Sequence, residues 1–524
     1  MKVEPGTSIL MQNYSPITAS EEAPQVSGGP IRVSDESPTH FELRPTVSEI
    51  LEHHLETWRQ IEKSRSVVAI GRPNTDIGNA ELFCDLFAGL VAYVPAWKEY
   101  LIYTGQRWAP DQRNTLPTLV GLALRNVAAI VALCETIGKD EKEKRLSWLA
   151  KSETALRVKG AMQFICSDPR IVKTPDAFDR DPFAYNCASG VVDLRTGGIR
   201  PHCAEDFFLH YSPVKYVPEA DAPRFMEFID EVTCSRHELI QWLLGFHGLA
   251  LTGDVSAQLF PIYAGSRGKT TFLQVVEYLM GSYYKAISAA TLLEQSSRGD
   301  GPRSDLADLK GVRLAVAVEP ESGARLSVGL VKQLTGGDTI TCRRLYGQPF
   351  SYRPSSKFIL LCNHKPRIPQ MDTGIARRLR VIPFELELPL DRQDPILIDK
   401  LLSEGPGILA ALIRACVSWY RAGRGAGALP PCRSIEEATN DYKIAEDQIA
   451  RFLSERCEFG RGRFAKGGDL CRAYAAWCES TGERPASTRT LSERLVEQGF
   501  IRKHTEAGAI YAGLSVKGLT PDCN

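Results

Sequence analysis

The stretch LFPIYAGSRGKTTFLQVVEYL, residues 259–279, decides how this chain is read. An apolar strand runs into Gly265-Ser266-Arg267-Gly268-Lys269-Thr270-Thr271, and an apolar helical period begins directly behind it. Strand, glycine-rich loop and helix in that order make an anion cradle. Loop N–H groups wrap phosphates, and the helix N-terminus adds partial positive charge. Lys269 is then the cation for β- and γ-phosphates of ATP, and the Thr270 hydroxyl is a ligand for Mg²⁺. Gly265, Ser266, Arg267, Gly268 and Thr271 complete the loop. The usual spacing, G-x-x-x-x-G-K-[ST], would place glycine at 263, where this chain has Tyr263.

Outward from the loop, apolar segments 259–263, 312–318, 358–362 and 379–384 alternate with helical or polar stretches. That alternation predicts an α/β sheet covered by helices, here over 254–422. The segment GVRLAVAVEPE ends a strand in Glu319, with Glu321 two residues on. Glu319 is the first choice for holding Mg²⁺ and aligning water, and Glu321 the second candidate. The strand 357–362 ends in Asn363, placed to sense the γ-phosphate or the attacking water, or simply to form a turn. Arg377 and Arg378 precede the last strand. Arginines so placed can reach the nucleotide of a neighbouring subunit, and Arg378 is the preferred one.

The remaining sequence bounds the class. The chain has 524 residues, 43% apolar and 24% charged, which excludes a disordered chain or a small disulfide scaffold. Its 63 basic and 63 acidic residues cancel. Fourteen cysteines occur without a C-x-x-C pair, so they read as reduced thiols and a structural zinc site is not expected. No apolar run approaches the ~20 residues of a membrane span, and the first residues lack a signal-peptide pattern; a soluble protein of a host cell's cytoplasm is expected. Residues 1–42, rich in Pro, Ser, Glu and Gly, predict a flexible tail. Residues 43–253 predict an α+β module with a helical bridge, including one helix near 115–137 and a second over 141–166. Residues 432–524, after the linker GRGAGALPP, predict a small helical region ending in short strands.

Charge is local. From 332 to 380 there are ten basic and two acidic residues, an excess of +8 in a neutral chain. Segments 340–345 and 350–353 flank Tyr346-Gly347-Gln348-Pro349, which predicts a β-hairpin. Lys332, Arg343 and Arg344 are candidate phosphate contacts for DNA, and Tyr346 a stacking platform. Strand alternation sends Arg343 and Arg344 to opposite faces, and Arg344 is preferred because it lies nearer the turn.

The order and wording of these motifs resemble the superfamily-3 helicases, and among them the phage/plasmid P4-type and poxvirus D5-like primase-helicases. The likeness is carried by AGSRGKTTFL, DLADLKGVRLAVAVEPE, the phrase KQLTGGDT at 332–339, and DTGIARRLRVIPFELELP. Upstream, ASGVVDLRTGGIRPH resembles the D5-type N-terminal module. Downstream, DLCRAYAAWCESTGERPASTRTLSERLVEQGF resembles a C-terminal winged helix. The resemblance covers about 70–515 and implies an α/β, P-loop, AAA+-like superfamily-3 ATPase core with an N-terminal D5-type module and a winged-helix-like C-terminal domain. It implies a ring-forming motor, usually hexameric, moving 3′ to 5′ on single-stranded or forked DNA in replication of a phage, virus or plasmid. ATP sites would lie between subunits, and the hairpin would project into the channel. The stretch before residue 70 leaves no room for a catalytic primase domain, so a separate primase or polymerase is an expected partner. The competing reading is an ATP-dependent initiator or loader that binds origin DNA without processive unwinding.

Overall fold

The computed structural model describes residues 71–265, 267–294, 303–318, 324–343, 349–369, 371–386, 394–482, 485–505 and 508–518. Its centre is a five-stranded parallel sheet made of β7 (Phe260–Gly265), β8 (Tyr284–Ser288), β9 (Leu314–Val318), β12 (Lys357–Cys362) and β13 (Leu379–Phe384). The strand order is β13-β7-β12-β9-β8. Successive residues point to opposite faces, and both faces are covered. Tyr263, Val316, Ile359, Leu361 and Ile382 join one core, while Ile262, Ala315, Ala317, Leu360 and Val381 join the other. Near-continuous apolar strands are what a parallel sheet buried on both sides requires.

The first face is covered by α5 (Pro223–Val232), α6 (His237–Ala250), α7 (Lys269–Met280) and α12 (Gly405–Arg421). Proline opens α5, where its missing N–H costs nothing, and Glu404 accepts from the next two backbone N–H groups, of Arg224 and Phe225, at 3.0 and 2.8 Å. The second face carries α9 (Val328–Gly336) and the antiparallel pair β10 (Ile340–Cys342) and β11 (Phe350–Tyr352). α13 (Arg433–Glu446) lies along β13, where Thr439 Oγ1 accepts from Val381 N at 2.9 Å.

The cores do not follow the domain limits expected from sequence. The core on the first face runs without a break from Phe183 and Tyr185 to Ile435, so the expected junction at 253/254 falls inside it. Residues 80–171 form their own core around α1 (Asp76–Phe87), α2 (Leu116–Leu133), α3 (Lys139–Ser152) and α4 (Ala155–Ile165). The single helix expected over 141–166 is two, parted at Glu153 and Thr154, whose backbones leave the helical run. By length and composition α2 is apolar enough to cross a membrane, with mean hydropathy 1.8, contrary to the sequence estimate; here Leu119, Leu124, Val127 and Val131 pack in that core. A fourth core, Ile449 to Val516, begins beyond α13, well after the expected start at 432. It joins α14 (Gln448–Arg456), β14 (Cys457–Lys466), α15 (Gly467–Thr481), α16 (Thr488–Glu497), β15 (Ile501–Thr505) and β16 (Gly508–Val516), with strand order β14-β16-β15. The expected tail, 1–42, and the first part of the expected N-terminal module, 43–70, lie outside the described residues.

Candidate functional site

The glycine-rich segment sits where β7 passes into α7, at the carboxyl end of the parallel sheet, the end at which open α/β sheets place their ligands. Gly265 and Gly268 have φ of 118° and 86°, conformations that side chains resist. Space excludes larger residues as well. A Cβ on Gly265 would stand 1.9 Å from Phe384 O, and one on Gly268 2.4 Å from Val232 Cγ1. The loop is therefore gripped between the ends of β13 and α5. The N-cap of α7 is Gly268, which has no side chain to cap it, and the first N–H groups of a helix are the ones that need an acceptor from outside it. Arg267 and Thr270 are exposed and Thr271 is half-buried. Ser266 lies outside the described residues.

Lys269 is the first residue of α7 and is only 4% exposed. Its Nζ donates to Cys362 O and to Asn363 Oδ1, both at 2.9 Å, and to Gly265 O. Residues expected from two separate motifs thus meet at one ammonium group. These three acceptors are neutral oxygens. β12, which brings Asn363, is flanked by β7 and β9, and Leu361 is level with Val318 at the end of β9. Glu319 and Glu321 lie outside the described residues.

Tyr263, standing where the loop pattern wants glycine, is fully buried in β7, and its Oη lies 2.8 Å from Nε2 of buried His247 on α6. Its ring points into the core beneath the loop, against Phe384. Burial holds His247 neutral, its pKa lowered to about 3. No local pattern in the sequence signals this pair.

The two adjacent arginines separate. Arg378 is 6% exposed: Nε donates to Thr335 Oγ1 at 3.0 Å, Nη1 to Gly374 O at 2.7 Å and Nη2 to Gln258 Oε1 at 3.2 Å. Arg378, the residue preferred from sequence, is thus engaged inside its own chain. Arg377 is exposed and donates to the same Gln258 Oε1 at 2.8 Å. Gln258 had no signal in the sequence. Lys332 is half-buried and paired with Asp372 at 2.7 Å. That carboxylate also caps the short helix α10 (Thr373–Ala376) by accepting from Ile375 N at 2.9 Å. Lys332 thus orders the turn before the arginines. Arg343 is exposed at the end of β10; Arg344 and Tyr346 lie outside the described residues.

Residues 80–234 match the family model "D5 N terminal like", and residues 263–378, from Tyr263 to Arg378, match a model described as a family of unknown function (DUF5906). The chain is 31% identical over 314 residues to "Putative helicase L207/L206" of Acanthamoeba polyphaga mimivirus, covering 56% of this chain and 32% of that protein. It is 33% identical over 364 residues to "Putative helicase 022R" of Frog virus 3, covering 53% and 37%. Over these stretches the chain is similar to D5-type proteins and to viral proteins named putative helicases. The chain spans about a third of the length of those relatives. The C-terminal region of NrS-1 shares 12% identity with it at a TM-score of 0.45, over 82% of this chain and 98% of that one.

Proposed function

We propose that this chain is the motor portion of an ATP-dependent DNA helicase serving replication of a virus or related element. The observation that carries the reading is the meeting of Lys269 with Asn363 and the Cys362 carbonyl beside a glycine-only loop. A buried ammonium at a helix start that donates to carbonyl-type oxygens can exchange them for a phosphate oxygen, a stronger, charged acceptor. Asn363, released by that exchange, is then placed to hold the terminal phosphate or the attacking water. Mg²⁺, held by the Thr270 hydroxyl with Glu319 or Glu321, would neutralise phosphate charge. Gly265, Arg267, Gly268 and Thr271 would line the phosphates with Ser266.

The further parts follow the family resemblance. Arg377, exposed and steadied by Gln258, replaces Arg378 as the residue offered to a neighbouring subunit's nucleotide in a ring, usually a hexamer. The hairpin β10–β11 is the grip on single-stranded DNA, and translocation runs 3′ to 5′. The order helix–strand–helix–helix–strand–strand over 448–516 is read as a winged helix, with α16 as the helix presented to duplex. Strand displacement on a forked DNA, with and without ATP, tests the whole reading. ATP-dependent displacement is expected; ATP-dependent binding to duplex without displacement would favour an initiator or loader instead.

A further inference from the structure

The +8 stretch between 332 and 380 is not one basic surface. Lys332 is paired with Asp372, Arg377 and Arg378 are held by Gln258, and Lys357 is buried under main-chain carbonyls. Arg380 donates to the carbonyls of Arg377 and Leu379, and Lys365 lies over the Tyr442 ring. With Arg344 outside the described residues, three exposed arginines remain among those described, Arg343, Arg353 and Arg367, which have no ion-pair partner there. Two of these three belong to the hairpin.

The hairpin register says where they stand. Ile340 faces Tyr352, Thr341 faces Ser351 and Cys342 faces Phe350. Ile340, Cys342 and Tyr352 are buried, whereas Thr341 and Ser351 are exposed, their hydroxyls 2.8 Å apart. Period-two alternation extends that exposed face to Arg343 beyond Thr341 and to Arg353 beyond Ser351. Because the strands are antiparallel, the arginines lie at opposite ends of the face with the hydroxyl pair between them. Four residue steps separate them along the strand direction, about 13 Å, several times the 3.4 Å axial rise per nucleotide of one strand of a duplex. They must therefore take different phosphates. In the hydroxyl pair one O–H donates to the other oxygen, which leaves one O–H to donate outward. The acids of the stretch do not interfere: Asp372 is used by Lys332, and Asp338 lies beside Gly336 on the side of Arg378.

We infer that the Thr341/Ser351 face of the hairpin is a phosphate track for single-stranded DNA, with Arg343 and Arg353 as its two cationic contacts. This rests on the DNA-motor reading and assigns the face and the residues through which that reading works. It replaces the preference for Arg344 and adds Arg353, Thr341 and Ser351, which sequence reading had not singled out.

The test is binding of the full chain to a fluorescein-labelled oligothymidylate across a salt series, with circular dichroism melts to confirm folding. Arg343→Ala and Arg353→Ala should each reduce the slope of log affinity against log salt by about 0.7, and the double variant by about 1.4. Thr341→Val with Ser351→Ala should weaken binding without changing the slope, since a neutral donor releases no counterion. Arg367→Ala, an exposed arginine off the hairpin, should match wild type. If Arg353→Ala keeps the wild-type slope while Arg343→Ala or Arg344→Ala lowers it, the strand runs over another face and the track is wrong, although DNA binding by the hairpin stands. If Arg367→Ala lowers the slope as much as Arg353→Ala, the effect is a diffuse field and the track is again wrong. Unchanged slopes throughout, or no binding by wild type, would overturn the track together with the hairpin's role as the DNA grip.

Discussion

At its two ends, strand β12 meets two buried lysines in different circumstances. At the carboxyl end Lys269, 4% exposed, donates to Gly265 O, Cys362 O and Asn363 Oδ1. At the amino end Lys357, 5% exposed, donates to Thr252 O and Ser355 O. Lys357 shares its end with Arg313, which donates to Leu251 O and Ala184 O at 2.5 and 2.7 Å and lies over the Tyr283 ring. Burial and donor chemistry are alike, so neither supports the proposed nucleotide role of Lys269 over a structural one. The surroundings do. The carbonyls of Leu251 and Thr252 follow α6, and the cations there satisfy a helix C-terminus. Lys269 instead opens a helix, beside exposed residues of a loop that only glycine can form. Burial at the amino end pulls the Lys357 pKa well below the ordinary lysine range.

Three changes can break this contrast. The largest effect is expected from Arg377→Ala, a loss on the order of 10³-fold in ATP turnover if it completes a neighbour's site, equivalent to about 4 kcal/mol. Arg378→Ala should act through stability instead, by about 2 kcal/mol, because Thr335, Gly374 and Gln258 lose a buried donor. Turnover per folded molecule, with denaturant midpoints for both variants, separates them. Equal turnover losses at matched stability would return Arg378 to the catalytic group.

Next, Arg313→Met should cost about 3 kcal/mol in chemical denaturation, since two carbonyls are left without their donor. Turnover by the folded fraction should be retained. A folded but inactive Arg313→Met would remove the distinction between the two ends of the sheet.

The smallest effect concerns His247. Its pKa is about 3 in the fold against ~6.5 unfolded, so below pH ~6.5 the unfolded chain takes a proton that the fold refuses. Stability then falls as pH falls, by up to about 1.4 kcal/mol per pH unit. Between pH 6.5 and 5 the wild type should lose up to about 2 kcal/mol more than His247→Gln, read from urea midpoints. Parallel pH profiles would mean that the Tyr263–His247 contact opens to water.

Much of the sheet was legible because its strands carry local signals. β7, β9, β12 and β13 fall within two residues of the apolar segments in the sequence. β8 was missed: YKAIS is an edge strand with most of its residues exposed, so it has no apolar run to read. β14, CEFGRGRFAK, was missed for a related reason, its glycines and charges hiding a strand that is exposed over most of its length. The loop and Asn363 were legible as separate motifs, but their meeting at Lys269 depends on strand order, which no local pattern contains. Arg377 and Arg378 are identical neighbours in sequence, and only the direction each takes at the end of α10 sets one inside and one outside. The same limit applied to the cores. Phe183 meets Tyr420 and Tyr185 meets Tyr283, partners remote in sequence, so a boundary at 253 looked natural.

The most direct measurement is steady-state hydrolysis of MgATP by wild type, Lys269→Ala and Lys357→Met, each normalised to folded protein. If Lys269 is the phosphate cation, its loss removes a preorganised donor from the reacting phosphates. Turnover should fall at least about 10²-fold, while Lys357→Met retains the wild-type rate. A folded Lys269→Ala that hydrolyses ATP as fast as wild type, or equal losses in both variants, would contradict the assignment of the carboxyl end as the nucleotide site.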